Sequence, residues 1–163
     1  MNKQQMIDNA VNAAKDALIR DDVCSRSVLV GLSTICEIPD ELVTASLSLL
    51  GGTGAASGSC GAYCAGLLGV GLKFNCPIAY EPSNPERKMF GIDKALEYRD
   101  RFVASEGTVM CPLLHEKLFG RSYILSDPEQ EAEFLAREDH KEKCAEIVGA
   151  ATRIAAMIIL ADE

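Results

Sequence analysis

Gly51-Gly52-Thr53-Gly54-Ala55-Ala56-Ser57-Gly58-Ser59-Cys60-Gly61-Ala62-Tyr63-Cys64-Ala65-Gly66 is the stretch on which the fold turns. Its first half cannot propagate a helix, because glycine is costly inside one and useful where φ is positive. Its second half reads as a helix start. Ser59 offers a cap, and an apolar segment then runs from about Cys60 to Phe74. Strands would need apolar residues alternating at period two, and no segment beside this break does so convincingly. Thr44 to Leu50 is the best strand candidate, and it fits a helix better.

Helical spacing continues outward in both directions. Ile7, Val11, Ala14 and Leu18 mark an amphipathic helix over about residues 3–19. Asp21-Asp22 offers an N-cap for a second helix, about 23–36, whose apolar face holds Cys24, Val28, Leu32 and Ile35. A third begins at Pro39 and reaches Leu50. Residues 75–85 hold three prolines and read as a loop. Pro85 opens a helix to about residue 105, with Met89, Ile92, Leu96 and Val103 on one face. Cys111-Pro112 starts a short helix to Phe119. Ser126-Asp127-Pro128-Glu129 starts the last helical region, which breaks near residues 137–139. The whole predicts one domain spanning residues 1–163: an all-α bundle of six or seven helices, with a glycine-rich loop before the Cys60 helix. Its last helix is apolar nearly all round, as a central core helix or a homodimer seam would be.

The chain has 163 residues and a net charge of −8, which argues against nucleic acid and anionic membrane surfaces as partners. The longest apolar run, Ile154 to Ala161, is far short of the ~20 residues that span a bilayer. The amino-terminal residues carry no apolar signal-peptide core, so a cytoplasmic location is expected. Seven cysteines are many for this length. In the cytoplasm, clustered cysteines point to metal binding or redox chemistry more than to structural disulfides.

Cys24, Cys60 and Cys111 share one setting, at or just inside a predicted helix N-terminus. Backbone N–H groups and the helix dipole there are expected to stabilise a thiolate, the form that binds metals and attacks disulfides. Cys144 lies within the last helix, in the apolar stripe with Ile147, Ala151 and Ile154. Cys64 sits one turn after Cys60, on the same face. Cys36 and Cys76 lack the helix-start setting and read as incidental.

Cys24-Ser25-Arg26-Ser27-Val28-Leu29, Cys60-Gly61-Ala62, Gly107-Thr108-Val109-Met110-Cys111-Pro112 and then Cys144 together resemble the C-GCAxxG-C-C family of redox-active proteins. The resemblance runs from Cys24 to Cys144 and places the family's four cysteines on Cys24, Cys60, Cys111 and Cys144. A glycine of the family pattern falls on Ala65, with Gly66 one place later. The resemblance implies redox activity, and iron–sulfur or electron-transfer roles within it.

Four thiolates suit an iron–sulfur cluster or structural zinc. The small residues Gly58, Gly61 and Ala62, with Cys64, would then surround the cofactor. The partner would be a redox protein or a small electron donor or acceptor, and the chain an oxidoreductase or an electron-transfer accessory. Simple dithiol–disulfide exchange, with Cys60 attacking, is the form without a cofactor. Cys111 with His115, and His140 with Cys144, are each four apart and outline an alternative Cys2His2 zinc site, in which the chain is a helical interaction module. Both histidines lie among charged residues and are expected to be exposed. Covalent haem needs C-x-x-C-H, which is absent. Residues 52–58 also have the composition of a Rossmann-type nucleotide loop, although no Lys-Ser/Thr follows and no second βαβ unit is visible.

Overall fold

A computed structural model describes residues 2–161. Among them there is no β-strand, only an isolated bridge between Ser59 and Met110. The helices are α1 (Lys3–Asp21), α2 (Cys24–Leu32), α3 (Asp40–Ala45), the single turn α4 (Leu50–Thr53), α5 (Gly61–Phe74), α6 (Pro85–Glu106), α7 (Cys111–Phe119), α8 (Pro128–Leu135) and α9 (His140–Ile159). Tighter 3₁₀ turns cover Ser46–Leu49 and Ile78–Ser83. The chain is all-α, and the nucleotide-loop reading fails because no strand precedes the glycines.

The last helix occupies the centre. α9 packs against α1, α2, α5 and α6 and buries Ile147, Val148, Ala151, Ile154, Ala155, Ile158 and Ile159. Most of its apolar surface is therefore used within the chain. α1 supplies the stripe Ile7, Val11, Ala14 and Leu18 to the same core and begins with a capping box between Asn2 and Gln5. Each large aliphatic side chain so buried contributes roughly 1.5–3 kcal/mol. No helix among the described residues is long and apolar enough to cross a membrane.

Three local expectations change. Asp22 does not cap α2; it is the left-handed C-cap of α1, and Val23 precedes α2. The third helix ends at Ala45 and passes through 3₁₀ geometry into the glycine turn, because Gly51 and Gly52 take positive φ. On α6 the buried face is Gly91, Tyr98 and Phe102, while Met89, Ile92, Leu96 and Val103 stay exposed. The aromatic pair decides this: Tyr98 and Phe102 pack on Tyr63 of α5 with ring centres 5.6 and 5.1 Å apart. Large aromatic rings bury much apolar area and stack favourably.

Candidate functional site

Cys60 and Cys111 step off the same short pairing. Around the Ser59–Met110 bridge, Cys60 N–H donates to the Val109 carbonyl at 2.7 Å and Cys111 N–H donates to the Gly58 carbonyl at 2.9 Å. Each segment then turns directly into a helix. Cys60 is itself the N-cap of α5 and Cys111 is the first residue of α7. Ser59 is thus occupied in the bridge and does not cap α5. Two cysteines 51 positions apart are brought together by one antiparallel contact.

The glycine stretch supplies the next wall. φ is positive at five residues in succession: Gly51, Gly52, Thr53, Gly54 and Ala55. This is a left-handed turn closed by Gly54 and Ala55 N–H donating to the Leu50 carbonyl at 3.1 and 3.2 Å. Glycine adopts that conformation freely, whereas Thr53 and Ala55 each carry a cost of roughly 1–2 kcal/mol. The reversal points the Gly51 N–H at the Cys24 sulfur, which also faces the N–H groups of Ser25 and Ala62.

Cys24 from the start of α2 and Cys144 from the second turn of α9 complete the group. Cys24, Cys60, Cys111 and Cys144 all line one cavity of about 110 Å³, with a mostly apolar wall that includes Leu18, Leu114 and Phe134 and the polar side chains of Asp22, His115 and Glu131. All seven cysteines are unbridged. Among the described residues no three His, Cys, Asp or Glu side chains close on a point as a single metal ion requires. The sulfurs stand around a space instead of meeting.

The expectation of thiolates at helix starts is overturned. Burial is the leading influence on all four thiols and pushes each upward: Cys24 above the usual thiol range, Cys60 well above it, Cys111 to about 12 and Cys144 upward as well. Backbone N–H groups oppose this at Cys24 and Cys60, and they lose to desolvation. Proximity adds to the rise, since charge on Cys24 disfavours charge on Cys60, Cys111 and Cys144.

The histidines are buried, not exposed, at 5% for His115 and 6% for His140. His140 commits both ring nitrogens to the protein, with Nε2 2.8 Å from an Asp22 carboxylate oxygen and Nδ1 2.7 Å from the Arg137 carbonyl. It has no nitrogen left for a metal shared with Cys144. His115 lines the cavity, with Nε2 3.7 Å from the Cys111 sulfur, and burial holds its pKa near 4.

Residues 23–158 match a family described as "Putative redox-active protein (C_GCAxxG_C_C)". The chain belongs to this family. No curated protein and no solved structure gave a significant match.

The small residues after Cys60 have a packing role. A Cβ on Gly61 would lie 2.5 Å from the Leu49 carbonyl oxygen and 2.7 Å from the Cys24 sulfur, so a glycine after Cys60 is what lets α2 and α5 meet. The Ala62 N–H serves the Cys24 and Cys60 sulfurs together. Ala65 is fully buried, and Gly66 beside it receives the Tyr98 ring. Gly58 contributes its carbonyl to Cys111 and does not face the cavity. Cys64 is half-buried and close enough to feel the Cys24 charge, but it does not line the cavity. Cys36 donates to the Leu32 carbonyl at 3.4 Å, and Cys76 is buried away from the group. Sequence reasoning missed Asp22 as the anchor of His140 and the Gly51 N–H as a sulfur donor. The first had no local signal, and the second was visible only as a glycine.

Proposed function

We propose that the four-cysteine cavity holds an iron–sulfur cluster and that the protein transfers electrons through it. One observation carries this reading: Cys24, Cys60, Cys111 and Cys144, from four helices, line a single cavity without converging on a point. The donor set fits, since four cysteine sulfurs are the usual ligands of [2Fe–2S] and [4Fe–4S] clusters. A bound cluster would supply one-electron chemistry. A lone zinc ion would need the sulfurs drawn together. Dithiol exchange needs an accessible thiolate, and these thiols are buried with their pKa values raised.

The chain's own residues perform three tasks in this reading. The four sulfurs lose their protons on loading, and a cation among them offsets the desolvation that otherwise keeps them neutral. The N–H groups of Gly51, Ser25 and Ala62 stabilise negative charge at the Cys24 side. The mostly apolar wall limits contact with water. The partner is a redox protein or a small electron donor or acceptor.

The test is anaerobic purification with assays for iron, acid-labile sulfide and zinc, on wild type and single Cys→Ser variants. Iron and sulfide should be present and be lost on changing Cys24, Cys60, Cys111 or Cys144, but not Cys36 or Cys76. A metal-free protein that still forms a disulfide among these four on mild oxidation would replace the cluster with dithiol exchange. Zinc in place of iron would favour the structural site.

A further inference from the structure

His115 lies one turn after Cys111 on the same face of α7. Its ring stacks on Phe134 with centres 4.8 Å apart and meets the edges of Phe119 and Tyr123 at 5.5 and 6.0 Å. This aromatic box, built by α7, α8 and the segment between them, fixes the ring plane. Nε2 faces the Cys111 sulfur, whereas Nδ1 is buried with no partner.

Those two facts choose the tautomer. A proton on Nδ1 would bury an unsatisfied N–H, while a proton on Nε2 leaves only a lone pair unsatisfied. Orphaned buried N–H groups are the rarer of the two. The Nε2–H tautomer also points its donor at the sulfur.

We propose that His115 is a positioning residue that donates its Nε2–H to the Cys111 sulfur and thereby raises the reduction potential of the group held there. The inference rests on the cluster reading above. A hydrogen bond to a ligand sulfur stabilises the more negative, reduced state, so its removal lowers the potential. The aromatic box selects the ring orientation, so the donor needs no reorganisation when the electron arrives.

Two measurements on the full chain test this. In metal-free protein, ring ¹⁵N shifts should report the Nε2–H tautomer of His115; the Nδ1–H tautomer overturns the proposal whether or not a cluster binds. In anaerobically reconstituted protein, redox titrations compare wild type with His115→Phe and His115→Gln. Iron and sulfide content should be unchanged in both. The midpoint potential should fall in His115→Phe, which keeps a ring in the box but has no donor. It should fall less in His115→Gln, whose amide retains an N–H. If the phenylalanine variant does not fold, His115→Leu repeats the donor-free case. Equal potentials across the series overturn this inference alone. Loss of iron in both variants overturns it in favour of direct histidine ligation. A wild-type chain that takes up no iron overturns the cluster reading and this role together.

Discussion

Replacing Gly61 by alanine should damage both the fold and the cysteine cavity, and Gly71 on the same helix provides the control. At Gly61 the new methyl would meet the Leu49 carbonyl oxygen at 2.5 Å, the Cys24 sulfur at 2.7 Å and the Leu49 carbonyl carbon at 3.2 Å. Ordinary contact is about 3.5 Å, so neighbours must move by about 1 Å. Two of the three atoms are main chain, next to the left-handed turn, and cannot swing aside as a side-chain tip could. Overpacking of this kind costs roughly 1–3 kcal/mol. The gain in helix propensity is at most ~1 kcal/mol and smaller at the first helical position. A net loss of about 1–2 kcal/mol follows, or roughly 2–8 °C in Tm for a chain of this size. At Gly71 the nearest atom is the amide nitrogen of the exposed Asn75 at 2.9 Å, the end of a side chain that can turn away. Gly71→Ala should therefore stabilise by roughly 0.5–1 kcal/mol. Urea melts of the two variants give the difference directly, and iron content reports whether Cys24 has been displaced. Equal stabilities, or full iron occupancy in Gly61→Ala, would refute the account of why this chain has glycine after Cys60.

The left-handed turn predicts a stabilising change: Ala55, at φ 57°, should gain about 0.5–1 kcal/mol on conversion to glycine, measured by urea denaturation. Gly54→Ala, at φ 71°, should lose about as much. Tyr98 buries a hydroxyl without a partner, so Tyr98→Phe should leave stability unchanged or raise it by up to ~1 kcal/mol; a loss beyond ~1 kcal/mol would mean that the hydroxyl is satisfied. In the metal-free chain, His115 has its pKa lowered from 6.5 to about 4 by burial, so the unfolded state binds more protons between those values. Its contribution is intact above pH 6.5, declines as pH falls towards 4 and is flat below, a total on the order of 3 kcal/mol. Denaturation midpoints across that range should show the decline in wild type and not in His115→Phe.

The helices were legible because their signals are local. The 3.6-residue stripe of α1, the proline opening α6 and the break before α9 all appear near the expected positions. What sequence missed depends on which surfaces meet. On α6 the stripe Met89, Ile92, Leu96 and Val103 is a sound helical pattern, yet it lies opposite the face chosen by Tyr98 and Phe102. The sequence also could not see that Asp22 is held by a histidine 118 positions away, and so could not deny it the role of a cap. For the candidate site, the order of the cysteines pointed to Cys24, Cys60, Cys111 and Cys144, but the contact that pairs two of them is a single bridge between Ser59 and Met110. Neither residue has an alternating apolar neighbourhood, so nothing in the pattern announces it.

The charge state of the thiols was misjudged for a related reason. A helix start favours a thiolate by at most a few kcal/mol, and less when the helix end is partly screened. Gathering three such starts and Cys144 on one mostly apolar cavity adds their desolvation and makes each negative charge an obstacle to the next. The feature that suggested reactive thiolates one by one therefore yields neutral thiols as a set. Neutral thiols arranged around a space, with N–H groups still aimed at the sulfurs, are poorly suited to attack a disulfide. They are suited to release their protons together when positive charge enters among them. The left-handed turn lies beside the same sulfurs. The turn that presents the Gly51 N–H to the Cys24 sulfur also holds Thr53 and Ala55 at positive φ, so the donor and the strain belong to one local structure.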